Sequence, residues 1–128
     1  MGANVTLSEF FEASQARAKL TALMKKFHEN YDLLITPTMP TTAFRLGKNG
    51  PIGDNDEYWD SLSPFTYPFN LTGQPAATIP CGFGNDGLPI GLQIIGKNYD
   101  DVGVLRAASA YFDACPEHTI FPPGLKNK

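Results

Sequence analysis

The sequence predicts an α/β fold in which a mixed β-sheet is flanked by helices. Three observations point there. Leu7, Phe10, Ala13, Arg17, Leu20, Met24 and Phe27 recur every three or four positions, the spacing of one helical face. Leu33-Leu34-Ile35 is a short apolar run stopped by Pro37, which suits a strand covered on both faces. Residues 77–83 and 90–95 are two further strand-like stretches separated by a glycine-rich turn.

The first helix is expected over residues 7–29. Thr6-Leu7-Ser8-Glu9 has the form of a capping box, in which Thr6 accepts from the third helical N–H and Glu9 reaches back to the Thr6 N–H. Val5 and Phe10 stand at hydrophobic-staple positions, and Arg17, Lys19, Lys25 and Lys26 are expected as solvated charges. A strand follows over 32–37, and Pro37 and Pro40 forbid its continuation inside a sheet. Residues 38–62 read as one long loop, either a lid or pocket wall or a disordered segment, whose Asp54, Asp56, Glu57 and Asp60 suit a solvated segment rather than a calcium loop.

A short helix is expected over 66–73, capped by Thr66, with Pro68 in its first turn and Gly73 as a left-handed stop. The hairpin spans 76–96. Gly84-Asn85-Asp86-Gly87 tolerates positive φ, so the two strands pair antiparallel, and Pro80 must face away from a ladder bond or sit at a bulge. The last helix, over 100–115, is capped by Asp100, buries Val102, Leu105, Ala108 and Phe112, and ends at Pro116. Residues 116–128 form a proline-rich tail.

Composition narrows the function class. The 128 residues are 42% hydrophobic and 18% charged, so the chain is globular rather than disordered. A net charge of −3, with no Lys/Arg cluster, argues against direct binding of nucleic acid. No secretory signal or long apolar span is visible, so a cytoplasmic protein off the membrane is expected. Cys81 and Cys115 are expected as free, buried, reduced thiols, and His28 and His118 in surface or packing roles rather than as metal ligands. Ser8, Ser14, Ser61, Ser63 and Ser109 are the serines, and none sits in a strand–turn–helix elbow.

Three stretches together resemble the amidase signature family: Asp32-Leu33-Leu34-Ile35-Thr36-Pro37-Thr38, then Phe65 through Ala76 (FTYPFNLTGQPA), then Gly87 through Gly96 (GLPIGLQIIG). The resemblance runs from about residue 7 to 123 and corresponds to the final minority of a full member. It implies the C-terminal portion of the family's α/β/α sandwich. It also implies a parent enzyme that hydrolyses carboxylic amides through an acyl-enzyme, using a serine nucleophile, a second serine in a cis peptide, and a lysine. Those residues lie earlier in the family's domain, on a glycine- and serine-rich loop. This sequence contains no Gly-Ser pair, so no catalytic residue is carried over and the chain alone is expected to be inactive.

The expected substrate of the parent is a small amide, with no cofactor and no metal. Tyr58, Trp59, Phe65 and Tyr67 are the candidate substrate-binding residues, because aromatic rings give apolar area at little rotamer cost. The glutamine-using amidotransferase members of the family resemble this sequence too, but usually carry an aspartate where Ser63 stands. The missing charge favours a general amidase. A stand-alone binding or structural domain is the remaining alternative. An isolated segment would leave a bare sheet edge, so self-association, most simply a homodimer, is expected.

Overall fold

The computed structural model describes residues 4–47 and 63–116. In chain order these form α1 (Leu7–Phe27), β1 (Leu34–Pro37), α2 (Tyr67–Thr72), β2 (Ala76–Phe83), β3 (Pro89–Ile95) and α3 (Asp101–Ala114). The acidic cluster at 54–60, Tyr58, Trp59, Ser61 and residues 117–128 of the tail, His118 among them, lie outside the described residues.

The three strands form one sheet in the order β1-β3-β2, with both pairings antiparallel. Thr36, Gln93 and Thr78 stand in one cross-strand row, and Ile35, Ile94 and Ala77 in the next. Because side chains alternate, these rows face opposite sides. Ile79 and Ile94 pack with Val104 and Ala108 of α3, so that face is the apolar one. The other face carries Gln93 and the fully buried Ile95. Pro80 is accommodated by an irregularity of register between Pro80 and Phe83.

Helix α3 is capped by Asp100, whose Oδ1 accepts from the Gly103 N–H at 3.0 Å. Its buried face differs from the expected one. Val104 and Ala108 are buried and Ala107 and Tyr111 pack beside them, whereas Val102 and Leu105 are exposed, Leu105 at 64%. Small residues decide the phase. Gly96 at the end of β3 leaves room for Val104, since a Cβ there would lie 2.6 Å from Val104 Cγ2. The helix thus turns its alanine side to the sheet.

Helix α1 forms its capping box: the Glu9 N–H donates to Thr6 Oγ1 at 3.3 Å, and the Thr6 N–H donates to Glu9 Oε2 at 2.8 Å. The same backbone and hydroxyl donors hold the Glu9 carboxyl below its ordinary value. The expected apolar stripe is present but only partly covered. No residue of α1 is buried, and Leu7, Phe10, Phe11 and Leu23 are exposed, Leu7 at 84%. Leu20, Met24 and Phe27 at the C-terminal end of the stripe are half-buried, whereas Leu7 and Phe10 at its N-terminal end are exposed. Arg17 is not merely solvated, because its Nε donates to the Leu71 carbonyl at 2.7 Å and so satisfies an orphan acceptor at the end of α2.

The helix ends at Phe27, two residues short of the expectation, because His28 leaves the helical path to enter a buried network. His28 Nδ1 lies 2.9 Å from the Tyr31 carbonyl, and His28 Nε2 lies 2.9 Å from Gln74 Nε2. Gln74 also donates to the Gly96 carbonyl at 2.9 Å and accepts from Thr72 Oγ1 at 2.8 Å. The Gln74 amide nitrogen is donor only, so His28 Nε2 must accept and Nδ1 must carry the proton. The network joins α1, α2 and the end of β3. Among the described residues no buried side-chain polar atom lacks a partner.

Helix α2 starts at Tyr67 rather than at 66. Thr66 already has right-handed backbone angles and makes no side-chain cap; its hydroxyl donates back to the Ser63 carbonyl at 3.3 Å. Gly73 ends the helix at φ 69, as expected of a left-handed stop. Strand β1 starts at Leu34, two residues later than expected, and its Ile35 is 59% exposed rather than covered; among the described residues β1 pairs with β3 alone.

Two measurements check this packing. Ile94→Ala is expected to lower stability by about 2–5 kcal/mol in urea unfolding, and Leu105→Ala by no more than about 0.5 kcal/mol. The reverse order would place the sheet against the other side of α3. Long-range proton–nitrogen NMR should find His28 as the Nδ1–H tautomer, and Gln74→Leu should cost on the order of 2 kcal/mol by stranding the His28, Thr72 and Gly96 partners. An Nε2–H tautomer in the wild-type chain would refute the network as drawn.

Candidate functional site

The polar face of the sheet is where chemistry-bearing groups gather. Gln93 is buried at its centre, and its Nε2 donates to Thr36 Oγ1 at 3.0 Å and to the Phe65 carbonyl at 2.7 Å. One amide therefore holds the segment entering α2 against the sheet. Asn98 holds the far end of the same helix, donating to the Thr72 carbonyl at 3.0 Å and the Gly73 carbonyl at 3.1 Å.

Beyond Gln93 the polar face opens into a cleft of about 470 Å³. One wall is a strap of residues 38–44; the other is the hairpin, through Thr78, Pro89, Ile90 and Gly91. Among the described residues, Met39, Pro40, Ala43, Phe44, Pro89 and Ile90 make it apolar, and the hydroxyls of Thr38, Thr41, Thr42 and Thr78 supply the polar groups. No described ionisable side chain lines it. Such a cleft suits an uncharged, largely apolar group that offers a hydrogen-bonding atom.

The strap follows from its sequence. The chain bends through residues 38–42 as it leaves β1, and Pro40 fixes its own φ within that bend. The Thr38 N–H donates to the Gly91 carbonyl at 2.9 Å, and the Thr38 hydroxyl donates to that of Thr78 at 3.3 Å. Further along, the Thr42 hydroxyl donates to Asp86 Oδ2 at 2.6 Å. That bond, and then the Leu88 N–H, hold the Asp86 carboxyl below its ordinary value.

Of the expected substrate-binding residues, Phe65 is half-buried and Tyr67 is 41% exposed at the start of α2. Neither lines the cleft. The 38–62 loop is expected as a pocket wall, and its first residues do form one. The sequence singles out none of the lining residues, because they are threonines, prolines and small apolar side chains of ordinary kind. The available signal was their density: Thr36-Pro37-Thr38-Met39-Pro40-Thr41-Thr42 is stiff and rich in hydroxyls. Among the serines, the Ser8 hydroxyl donates to Glu12 at 3.4 Å and the Ser14 hydroxyl to the Phe10 carbonyl at 2.8 Å, while Ser109 is exposed on α3. Cys81 and Cys115 are unbridged and half-buried, less enclosed than expected. Among the described residues no helix is long and apolar enough to cross a membrane.

A family model described as Amidase matches residues 2–105. The A subunit of glutamyl-tRNA(Gln) amidotransferase from Lysinibacillus sphaericus is 43% identical over 117 residues, which is 91% of this chain and 23% of that protein. Its counterpart from Thermodesulfovibrio yellowstonii is 41% identical over 111 residues, 87% of this chain and 22% of that protein. The chain therefore spans less than a quarter of the length of these curated relatives.

Among solved structures, the A subunit of the Thermotoga maritima glutamyl-tRNA(Gln) amidotransferase superposes with a TM-score of 0.79 at 37% identity, over 94% of this chain and 26% of that one. A bacterial aryl acylamidase of the amidase signature family gives 0.77 at 30% identity, over 89% of this chain and 24% of that one. Three motif stretches in order, an α/β fold shared with these enzymes and a match across residues 2–105 all agree, and the chain belongs to the amidase family.

Proposed function

We propose that this chain is a scaffold and pocket-wall segment of an amide-bond hydrolase, drawn from the C-terminal part of the family's domain. The parent reaction consumes water and converts a carboxylic amide to the acid plus ammonia or an amine, through an acyl-serine. The nucleophilic serine and its serine and lysine partners would be supplied by residues outside this sequence, which has no Gly-Ser pair. No cofactor takes part.

The observation that carries the reading is where the motif stretches meet. Thr38, from the first stretch, and Pro89, Ile90 and Gly91, from the third, both wall the neutral cleft. The carbonyl of Phe65, which opens the second stretch, is held to the same sheet face by Gln93. Tyr58, Trp59, Phe65 and Tyr67 remain the proposed substrate-binding residues, with Phe65 and Tyr67 meeting the substrate outside the cleft, at the start of α2. The cleft's lack of charge supports a small uncharged amide and gives nothing for a phosphate backbone to bind.

A second reading is a segment of the A chain of a glutamine-dependent tRNA amidotransferase, favoured by the names of the two curated relatives. Against it stands Ser63, which offers no carboxylate for an amino group; its carbonyl accepts from the Thr66 and Tyr67 N–H groups at 3.1 and 3.2 Å. We favour the general amidase, in the cytoplasm.

Among the described residues the outer edges of β1 and β2 are unpaired and Leu7, Phe10, Phe11 and Leu23 of α1 are exposed, which supports self-association of the isolated chain. Sedimentation at tens of micromolar should show dimers or larger species; a clean monomer would count against a missing covering partner. Purified chain should not hydrolyse acetanilide or p-nitroanilides, whereas the full reading frame containing it should encode a Gly-Ser-Ser stretch and be active. Turnover by the chain alone, surviving repeated purification, would overturn the segment reading.

A further inference from the structure

The strap that forms one cleft wall is fixed at two places, and the second has no counterpart in any motif stretch. Its near end is stitched to the hairpin through Thr38. Its far end depends on Thr42 and Asp86, which lie 44 residues apart in sequence. Asp86 does two things with one carboxylate. Oδ1 accepts from the Leu88 N–H at 3.1 Å and shapes the turn, while Oδ2 takes the Thr42 hydroxyl at 2.6 Å.

The surroundings are built for this contact. The turn is closed by the Gly84 N–H donating to the Leu88 carbonyl at 2.8 Å and the Gly87 N–H to the Gly84 carbonyl at 2.9 Å. A Cβ at Gly84 would lie 2.7 Å from Asp86 Oδ1 and 3.3 Å from Thr42 Cγ2, so the clasp needs glycine there. At the other end a Cβ on Gly91 would lie 2.9 Å from Thr38 Oγ1. Both ends of the strap therefore rest over positions without a side chain, and Met39, Pro40 and Thr41 bridge the space between. A hydroxyl donating to a carboxylate at this length is a charge-assisted bond, stronger than a neutral pair.

We propose that Asp86 is a positioning residue for the cleft: by clasping Thr42 it sets how far the 38–44 wall stands from Ile90, and so which uncharged apolar groups enter. The placement of the wall stands on the geometry alone; its consequence for ligands rests on the pocket reading above.

The test uses the whole chain and nitrogen-15 relaxation, with Asp86→Ala, Thr42→Val and Thr42→Ser. In the wild type, strap residues 39–43 (apart from Pro40) should be nearly as ordered as β3, with order parameters near 0.8. Asp86→Ala and Thr42→Val should each lower these values to about 0.6 or less, while amide positions in β1 and β3 stay put. Adding Thr42→Val to Asp86→Ala should loosen the strap little further, since Asp86→Ala already removes the clasp along with its bond to the Leu88 N–H. Thr42→Ser, which keeps the hydroxyl, should restore the order. Acetanilide, as an uncharged probe followed by chemical shifts, should bind about tenfold more weakly to both loosened variants.

A strap equally ordered in wild type, Asp86→Ala and Thr42→Val would overturn the proposal, as would equal loosening by Thr42→Ser. Unchanged acetanilide affinity in loosened variants would overturn the selectivity half. Acetanilide failing to bind the wild type, with the clasp behaving as expected, would instead sink the pocket reading.

Discussion

Strand β3 is hydrogen-bonded along both edges, and the placement of everything else follows from it. Its two sides do different work. Leu92 and Ile94 turn toward α3 and make the apolar core, while Gln93 and Ile95 turn toward α2 and the cleft. A shift of one residue in its register would exchange these sets, putting a buried amide into the core and two aliphatic side chains against Thr36 and Phe65. Gln93 makes that slip costly, because an amide buried without partners loses its hydrogen bonds to water and gains nothing.

From β3 the organisation extends outward through two glutamines. Gln93 fixes the entrance to α2, and Gln74 fixes its exit by bonding to the Gly96 carbonyl just past the strand and to His28 at the end of α1. The polar side of this small sheet is thus organised by directional bonds, and the apolar side by packing. That division leaves a hydroxyl-rich, uncharged floor beyond Gln93, where the strap and hairpin can enclose a ligand without a stranded charge.

Local chemistry was legible in the sequence wherever the partner lay within a few residues. The Thr6–Glu9 capping box, the Asp100 cap, the left-handed Gly73 and the hairpin turn before Pro89 all formed, because each is decided within one turn of chain. Facing was less legible. Periodicity named a stripe on α1 of which only the C-terminal half is partly covered, and on α3 it placed Ala108 correctly but chose Val102, Leu105 and Phe112 where Gly96 lets Val104 approach the sheet. The cleft was legible only as a loop suited to a pocket wall. Thr42 and Asp86 are distant in sequence and chemically ordinary, and their meeting depends on how the hairpin twists toward the strap. Tyr58 and Trp59 lie outside the described residues and Phe65 and Tyr67 stand apart from the cleft, so the aromatic substrate contacts rest on the sequence alone.

The claim that β3 organises the chain is tested most directly by native-state hydrogen exchange read residue by residue. The amides of Gln93, Ile94 and Ile95 and their cross-strand partners in β1 and β2 should open last, at the free energy of global unfolding, with α1 opening well before them. If the amides of α1 prove as protected as those of β3, or if β3 exchanges early, the sheet is not the element on which the rest is built.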